Sequence, residues 1–302
     1  MSGHVKRTPI FSATRFGQRA GCELLLKAEQ FQRTGSFKVR GALNKISCLT
    51  DEERERGVIA VSAGNHAQGV AWAASTVGVR SVIVMAASAS ETKIAATRGY
   101  GAEVVLVDGG ISEAFEAVKQ MRAERGMTLV HPFDDPLIIA GQGTLGLEIV
   151  EDVPDADAIV VGIGGGGLVS GLATAVKTRK PDIKVIGVAA CRRRCHAPLL
   201  DAGRPLEMTP QTIADGLASP IAGTLTYALT RDLLHDIVTV TDDEIISAVK
   251  DLLIYCKLYA EPAGAAPVAA LLSGKLDLEP GAKVVAVISG GNFDLDALKA
   301  IL

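Results

Sequence analysis

Two kinds of hydrophobic spacing alternate along the chain. Short runs rich in Val, Ile and Leu occupy residues 23–28, 57–61, 81–85, 103–107, 157–161, 184–188, 237–240 and 283–288. Between most of them lie segments of about 12 to 18 residues with apolar positions three and four apart, the spacing of amphipathic helices. The runs VIAV, SVIVM and KVVAVI are apolar at every position, not at alternate ones. Strands of that kind are buried on both faces, as in parallel sheets covered by helices. The expected fold class is therefore α/β with parallel sheets. Thr241-Asp242-Asp243-Glu244 opens the helix after the seventh run as a capping box, which gives those carboxylates a structural role. No repeat, heptad or low-complexity tract interrupts the pattern.

Residues 158–176 contain no charge and approach membrane-spanning length. Gly162, Gly164, Gly165, Gly166, Gly167 and Gly171 fall within them. Consecutive glycines break a helix, so strand, loop and helix is the better reading. At 302 residues, 48% hydrophobic and 22% charged, the chain is neither disordered nor fibrous. A chain of this length buries roughly 75% of its unfolded surface and suggests about two domains. The net charge of −3 offers no basic footprint for nucleic acid. No long apolar segment follows the first charges, so no secretory signal and no membrane anchor are expected. The five cysteines, Cys22, Cys48, Cys191, Cys195 and Cys256, are odd in number and irregularly spaced. That usage fits reduced thiols in a cytoplasm.

Three glycine-containing turns stand between strands and helices. They are Thr34-Gly35-Ser36-Phe37-Lys38, Ser62-Ala63-Gly64-Asn65-His66 and Gly162-Ile163-Gly164-Gly165-Gly166-Gly167. In parallel sheets ligands gather beyond the carboxyl ends of strands, so three such turns can share one cleft. Gly162, Gly164 and Gly167 fit G-x-G-x-x-G, and on that loop alone a nicotinamide-dependent dehydrogenase is one reading. It also requires an acid at the end of the next strand, and that strand runs into Ala189-Ala190-Cys191 instead. What remains is a phosphate cup, with backbone N–H groups and a helix N-terminus facing an anion. Lys38 begins an amphipathic helical segment, where the helix dipole disfavours an ammonium ion. Partial burial against Phe37 acts in the same direction, toward a neutral nucleophilic amine suited to Schiff-base chemistry.

Around Lys38 the sequence resembles a known family. Thr34-Gly35-Ser36-Phe37-Lys38-Val39-Arg40-Gly41-Ala42 looks like the cofactor-lysine motif of the threonine/serine dehydratases and serine racemases, fold type II pyridoxal-phosphate enzymes of tryptophan synthase β-like architecture. Ser62–His66, the tetraglycine Gly164–Gly167, Thr212-Ile213-Ala214-Asp215-Gly216, Glu261-Pro262 and Ser289-Gly290-Gly291-Asn292 follow in the order the family shows. The resemblance covers nearly the whole chain. It implies pyridoxal phosphate as cofactor, carried by Lys38, which would also move the substrate Cα proton. It places Phe37 beside the cofactor ring and Asn65 on its 3′ oxygen. Gly164, Gly165, Gly166, Gly167 and Leu168 would hold the phosphate. Ser289 would face the pyridine nitrogen. Ser62, Ala63, Gly64, Asn65 and His66 would hold the substrate carboxylate at a helix start. The implied organisation is a large cofactor domain, residues 1–56 plus 133–302, and a small mobile substrate domain, residues 57–132. The implied reaction is β-elimination from L-threonine or L-serine to a 2-oxo acid and ammonia, in a homo-oligomer, dimer or tetramer. A dehydratase for another 3-hydroxy amino acid, such as 3-hydroxyaspartate, is the neighbouring reading, and a binding protein that has lost its chemistry is another.

Several residues depart from the family pattern. Ala63 stands where serine racemases have the serine that acts opposite the lysine, so dehydration with little racemisation is expected. Family members that bind a divalent cation do so through acids just after the strand equivalent to 184–188. Here that region reads Cys191-Arg192-Arg193-Arg194-Cys195-His196, a poor set for a hard cation and an incomplete one for zinc, so no metal site is expected. Arg192–Arg194 read as a solvated or interface patch, or as a contact for an acidic substrate or effector. The chain closes at Leu302, so feedback control through a C-terminal regulatory domain is not expected. His66 and Glu261 read as ordering groups, and Asp215 as structural.

Overall fold

The computed structural model describes residues 3–190 and 211–302. Among the described residues ten strands form two sheets. Strands β1 (Ile10–Ser12), β2 (Glu23–Ala28), β3 (Val58–Val61), β4 (Ser81–Ala86), β5 (Glu103–Val107), β6 (Thr128–Leu129), β7 (Ala158–Gly162), β8 (Lys184–Ala190), β9 (Asp236–Val240) and β10 (Lys283–Ile288) occur in that order. The larger sheet runs β1-β2-β10-β7-β8-β9 and the smaller β5-β4-β3-β6. Among the described strands only β1 is antiparallel to its neighbour. The eight apolar runs all became strands. The two that the spacing missed, β1 and β6, span three and two residues, too short for a period to register.

Helices α1 (Thr14–Ala20), α2 (Lys38–Ser47), α3 (Asp51–Arg56), α4 (Asn65–Thr76), α5 (Glu91–Gly99), α6 (Ile111–Arg125), α7 (Pro136–Asp152) and α8 (Gly167–Arg179) cover the sheets together with Thr224–Leu233, Asp242–Asp251, Pro262–Leu272 and Leu295–Ile301. Every residue of β3 and β7 is buried, as parallel strands covered on both faces require. Val284, Ala286 and Ile288 of β10 join one core while Val285 and Val287 join another, so the larger sheet has a core on each face. The smaller sheet does likewise, and one of its cores contains Ala42, Leu43 and Ile46 of α2 against Val58, Ala60, Val70 and Ile83. The Thr241 capping box is formed: its hydroxyl accepts from Glu244 N, and the Glu244 carboxylate accepts from Thr241 N. Among the described residues no helix is long and apolar enough to cross a membrane. The uncharged stretch 158–176 is β7, the glycine loop and most of α8.

Helix α7 lies between α2 and α8, and glycines set the spacing. A Cβ at Gly141 would fall 2.5 Å from Arg40 O, and one at Gly146 would fall 2.7 Å from Leu172 O. A Cβ at Gly171 would run into Ile139 O. Backbones that approach so closely leave little freedom for one helix to slide on another.

Candidate active site

Four chain segments leave the carboxyl ends of parallel strands and converge on one cleft, the place where such folds bind ligands. After β2 comes the turn into α2. Phe37 N donates to Ser289 O at 3.1 Å, and Ser36 pairs with Gly290, so this turn is strapped to the end of β10. Lys38 is the first residue of α2, and its part-buried side chain donates from Nζ to Pro132 O at 2.8 Å. Its Nζ lies 5.3 Å from the centre of the Phe37 ring. Burial lowers the Lys38 pKa to about 8 against the opposing pull of the Glu261 carboxylate. Roughly a tenth of the amine is therefore neutral at pH 7, far more than for an exposed lysine, and the helix N-terminus adds to that preference.

After β7 comes the tetraglycine loop. Gly166 sits at φ +92°, a conformation other residues adopt at a cost. A Cβ at Gly164 would lie 2.6 Å from Gly216 O, one at Gly166 2.8 Å from Thr226 Cβ, and one at Gly165 would run into the Phe133 ring. Thr226 Oγ1 donates to Gly165 O at 2.7 Å. The loop is thus clamped on three sides. Gly166 caps α8 with no side-chain bond to its first turn, and Leu168 is buried behind it. The donors at the start of α8 are left for an external anion.

After β3 comes the turn Ser62–His66. Ser62 Oγ accepts from Gly64 N at 3.1 Å, and α4 begins at Asn65 without a side-chain cap. Ala63 and Gly64 are part-buried on this turn. Asn65 Nδ2 donates to Glu261 Oε1 at 2.7 Å, while Asn65 Oδ1 accepts from Asn292 Nδ2 at 2.7 Å. Asn292 Nδ2 also donates to Thr34 O at 2.6 Å. His66 is buried, and its Nε2 bonds Val130 O at 2.9 Å. Because a carbonyl only accepts, that nitrogen holds the proton. Burial, with the Lys38 charge acting in the same sense, lowers the His66 pKa to about 3. The neutral ring orders the turn, and what His66 can offer a carboxylate is backbone. Ser289, at the end of β10, is buried beside Phe37. Glu261 is buried too, and burial raises its pKa to about 7 although the Asn65 hydrogen bond opposes the shift.

Sequence reasoning passed over the connector 130–135. It supplies Val130 O to His66, Pro132 O to Lys38 and the Phe133 ring to Gly165. His131 Nδ1 accepts from Asp134 N at 2.8 Å, and Asp134 in turn caps Thr224–Leu233. The signal was two prolines flanking Asp134-Asp135, a turn followed by a helix cap, and Asp135 does cap α7. Arg192–Arg194, Cys191, Cys195 and His196 lie outside the described residues. Among the described residues no group of three or more His, Cys, Asp or Glu side chains could hold a metal ion.

These groups fit pyridoxal phosphate by the chemistry of the donor set. The cleft holds a lysine with a lowered pKa, an uncapped helix start behind four glycines for a phosphate, and an oriented carboxamide. The sequence model of the pyridoxal-phosphate dependent enzymes matches residues 1–290. The chain belongs to that family. The family cofactor replaces the nicotinamide reading of the glycine loop. An L-threonine ammonia-lyase of Thermotoga maritima is 47% identical over 300 residues, covering 99% of this chain and 74% of the relative. The catabolic L-threonine dehydratase of Escherichia coli K12 is 44% identical, covering 100% and 92%. Among solved structures, maize serine racemase superposes with a TM-score of 0.94 at 37% identity, covering 98% of this chain and 92% of that one. This pyridoxal-phosphate enzyme has the fold type II architecture of those neighbours.

Proposed function

We propose that this enzyme eliminates water from L-threonine or L-serine and releases a 2-oxo acid and ammonia. The observation that carries the reading is the seat of Lys38: an amine with a pKa of about 8 that donates to Pro132 O, next to the Phe133 ring packed on the glycine loop. Relatives named for threonine ammonia-lyase activity support the substrate class. Lys38 would carry the cofactor, and its freed amine would take the substrate Cα proton. The first-turn N–H groups of α4, offered by the Ser62–His66 turn, would bind the substrate carboxylate. Gly164–Gly167 and Leu168 would bind the phosphate through backbone N–H groups. Asn65, held by Glu261 and Asn292, would donate to the ring oxygen, and Phe37 would pack beside the ring. Ser289 would offer the ring nitrogen a neutral hydroxyl. When bound, the cofactor supplies the electron sink for the carbanion left at Cα. A neutral serine at position 289 would make that sink weaker than an aspartate would, which would favour prompt loss of the β-hydroxyl. The β-hydroxyl would leave as water, with Lys38 returning the proton taken from Cα, and a second water would hydrolyse the enamine product to 2-oxo acid and ammonia.

Residues 57–132 would close over the substrate and exclude water. A reducing cytoplasm accords with the cysteine usage, and a homo-oligomer is what the family resemblance implies. The deciding experiment follows 2-oxo acid release from threonine, serine and 3-hydroxyaspartate side by side, with Lys38→Ala as control. Product from threonine or serine that the variant abolishes is the expected result; no product from any of the three overturns the reading. Ala63 cannot move a proton, so exchange of the α proton with inversion in heavy water should be far slower than product release. Inversion as fast as release would contradict that role for position 63.

A further inference from the structure

The lysine motif contains a second cation that the chemistry above does not use. Arg40 lies two residues beyond Lys38 on α2, about 200° around the helix, and so points away from the cleft. It is completely buried. Its Nε donates to Glu29 Oε2 at 2.8 Å and its Nη2 to Glu29 Oε1 at 2.8 Å. On the other side Nη1 and Nη2 meet Glu148 Oε1 and Oε2 of α7 at 2.6 and 3.0 Å, and Nη1 reaches Thr144 Oγ1 at 3.1 Å. Lys27 of β2, also fully buried, bonds Glu148 Oε2 and Thr8 O, each at 2.8 Å. Both carboxylates are gripped in a two-pronged geometry that lysine cannot reproduce.

This network settles a conflict in the packing of α2. The apolar face of the helix belongs to a core of the smaller sheet, yet its first residue must keep its distance from a glycine loop on α8. We propose that Arg40 is a positioning residue that fastens the start of α2 to the larger sheet and to α7, so that Lys38 stays in register with the glycine loop. Helix α7 passes that register to α8 through the close approach of Gly146 to Leu172 O. Glu29 fixes the other side, at the end of β2. An apolar residue at position 40 would keep α2 folded against the smaller sheet but free to shift with it. The inference rests on Lys38 being the reacting amine.

The test uses Arg40→Lys and Glu148→Gln. Each full-length protein is assayed with threonine, and cofactor-free samples are acylated across a pH series, with modification at Lys38 read by mass spectrometry. Arg40→Lys should fold, lower kcat at least tenfold and leave KM within about threefold. Its Lys38 amine should titrate at least one unit above the wild-type midpoint of about 8, because a shifted Nζ gains water. Glu148→Gln should move both readouts the same way by less. Folded variants that lose only thermal stability, with kcat and the Lys38 midpoint unchanged, overturn the proposal. Should Arg40→Lys fail to fold, Glu148→Gln decides by the same two readouts. An inactive wild type would sink the assignment of the reaction but leave the midpoint comparison intact, so the two failures are distinguishable.

Discussion

Asn65 and Glu261, 196 positions apart in the chain, are joined by a 2.7 Å hydrogen bond from the carboxamide to the carboxylate. With Asn292 donating to the other end of the same amide, its orientation is fixed. Truncation at position 261 releases one end of Asn65. Glu261→Ala should therefore lower kcat about tenfold or more, roughly the value of a buried hydrogen bond to a charged group. Glu261→Gln keeps an acceptor and should cost less.

Glu261 also gives a pH signature. Its pKa in the fold is about 7, against an ordinary glutamate value near 4.5. Protonation is thus favoured by folding. That contribution is complete below about pH 4.5 and is lost as the pH rises through about 7. In thermal melts of cofactor-free protein, the wild type should lose stability relative to Glu261→Gln between pH 5 and pH 8. A difference that is flat over that interval would contradict the buried carboxyl.

Lys38 behaves in the opposite sense. Its pKa falls from 10.5 to about 8, so folding disfavours the ammonium form. The stability of the fold with respect to this group is complete above about pH 10.5 and is lost as the pH falls through about 8. Cofactor-free Lys38→Met should be more stable than wild type at pH 7, on the order of 2 kcal/mol. A destabilised variant would show that the lysine is held by more than it is charged for in burial.

His66 should remain neutral through the working range. With a folded pKa of about 3 against 6.5, its stabilising share is full above about pH 6.5 and is lost as the pH falls through about 3. Nitrogen chemical shifts in labelled protein should show a neutral ring with the proton on Nε2 at pH 6. An imidazolium signal there would restore His66 as a candidate base.

Gly165 gives a steric test. A methyl group at that position would run into the Phe133 ring, next to the Pro132 carbonyl that seats Lys38. Gly165→Ala should destabilise the protein by about 1–3 kcal/mol, as overpacking does, and weaken cofactor binding at least tenfold. Gly99→Ala, where the added carbon meets open space, should leave binding unchanged. Equilibrium dialysis with the cofactor and thermal melts check both.

Much of this enzyme is written in local sequence. Continuous apolar runs produced buried parallel strands because both faces of each strand had to be covered. Thr241 and Glu244 closed their capping box, a bond pattern that spans three residues and needs no distant partner. The uncapped starts of α4 and α8 followed from Gly64 and Gly166, which have no side chain to offer. The motif around Lys38, the glycine loop and the Ser62–His66 turn were legible because each lies within a few residues of a strand end.

The pairings across the chain were not legible. The Asn65–Glu261 bond, the Pro132 seat of Lys38, the Phe133 clamp on Gly165 and the grip of Arg40 on Glu29 and Glu148 join segments that only the packing of two sheets brings together. The amine of Lys38 owes its lowered pKa mainly to burial, and burial belongs to the assembled molecule. A residue's neighbours along the chain set its backbone, but desolvation and charge act through space, so the chemistry of the cleft was decided by the tertiary structure.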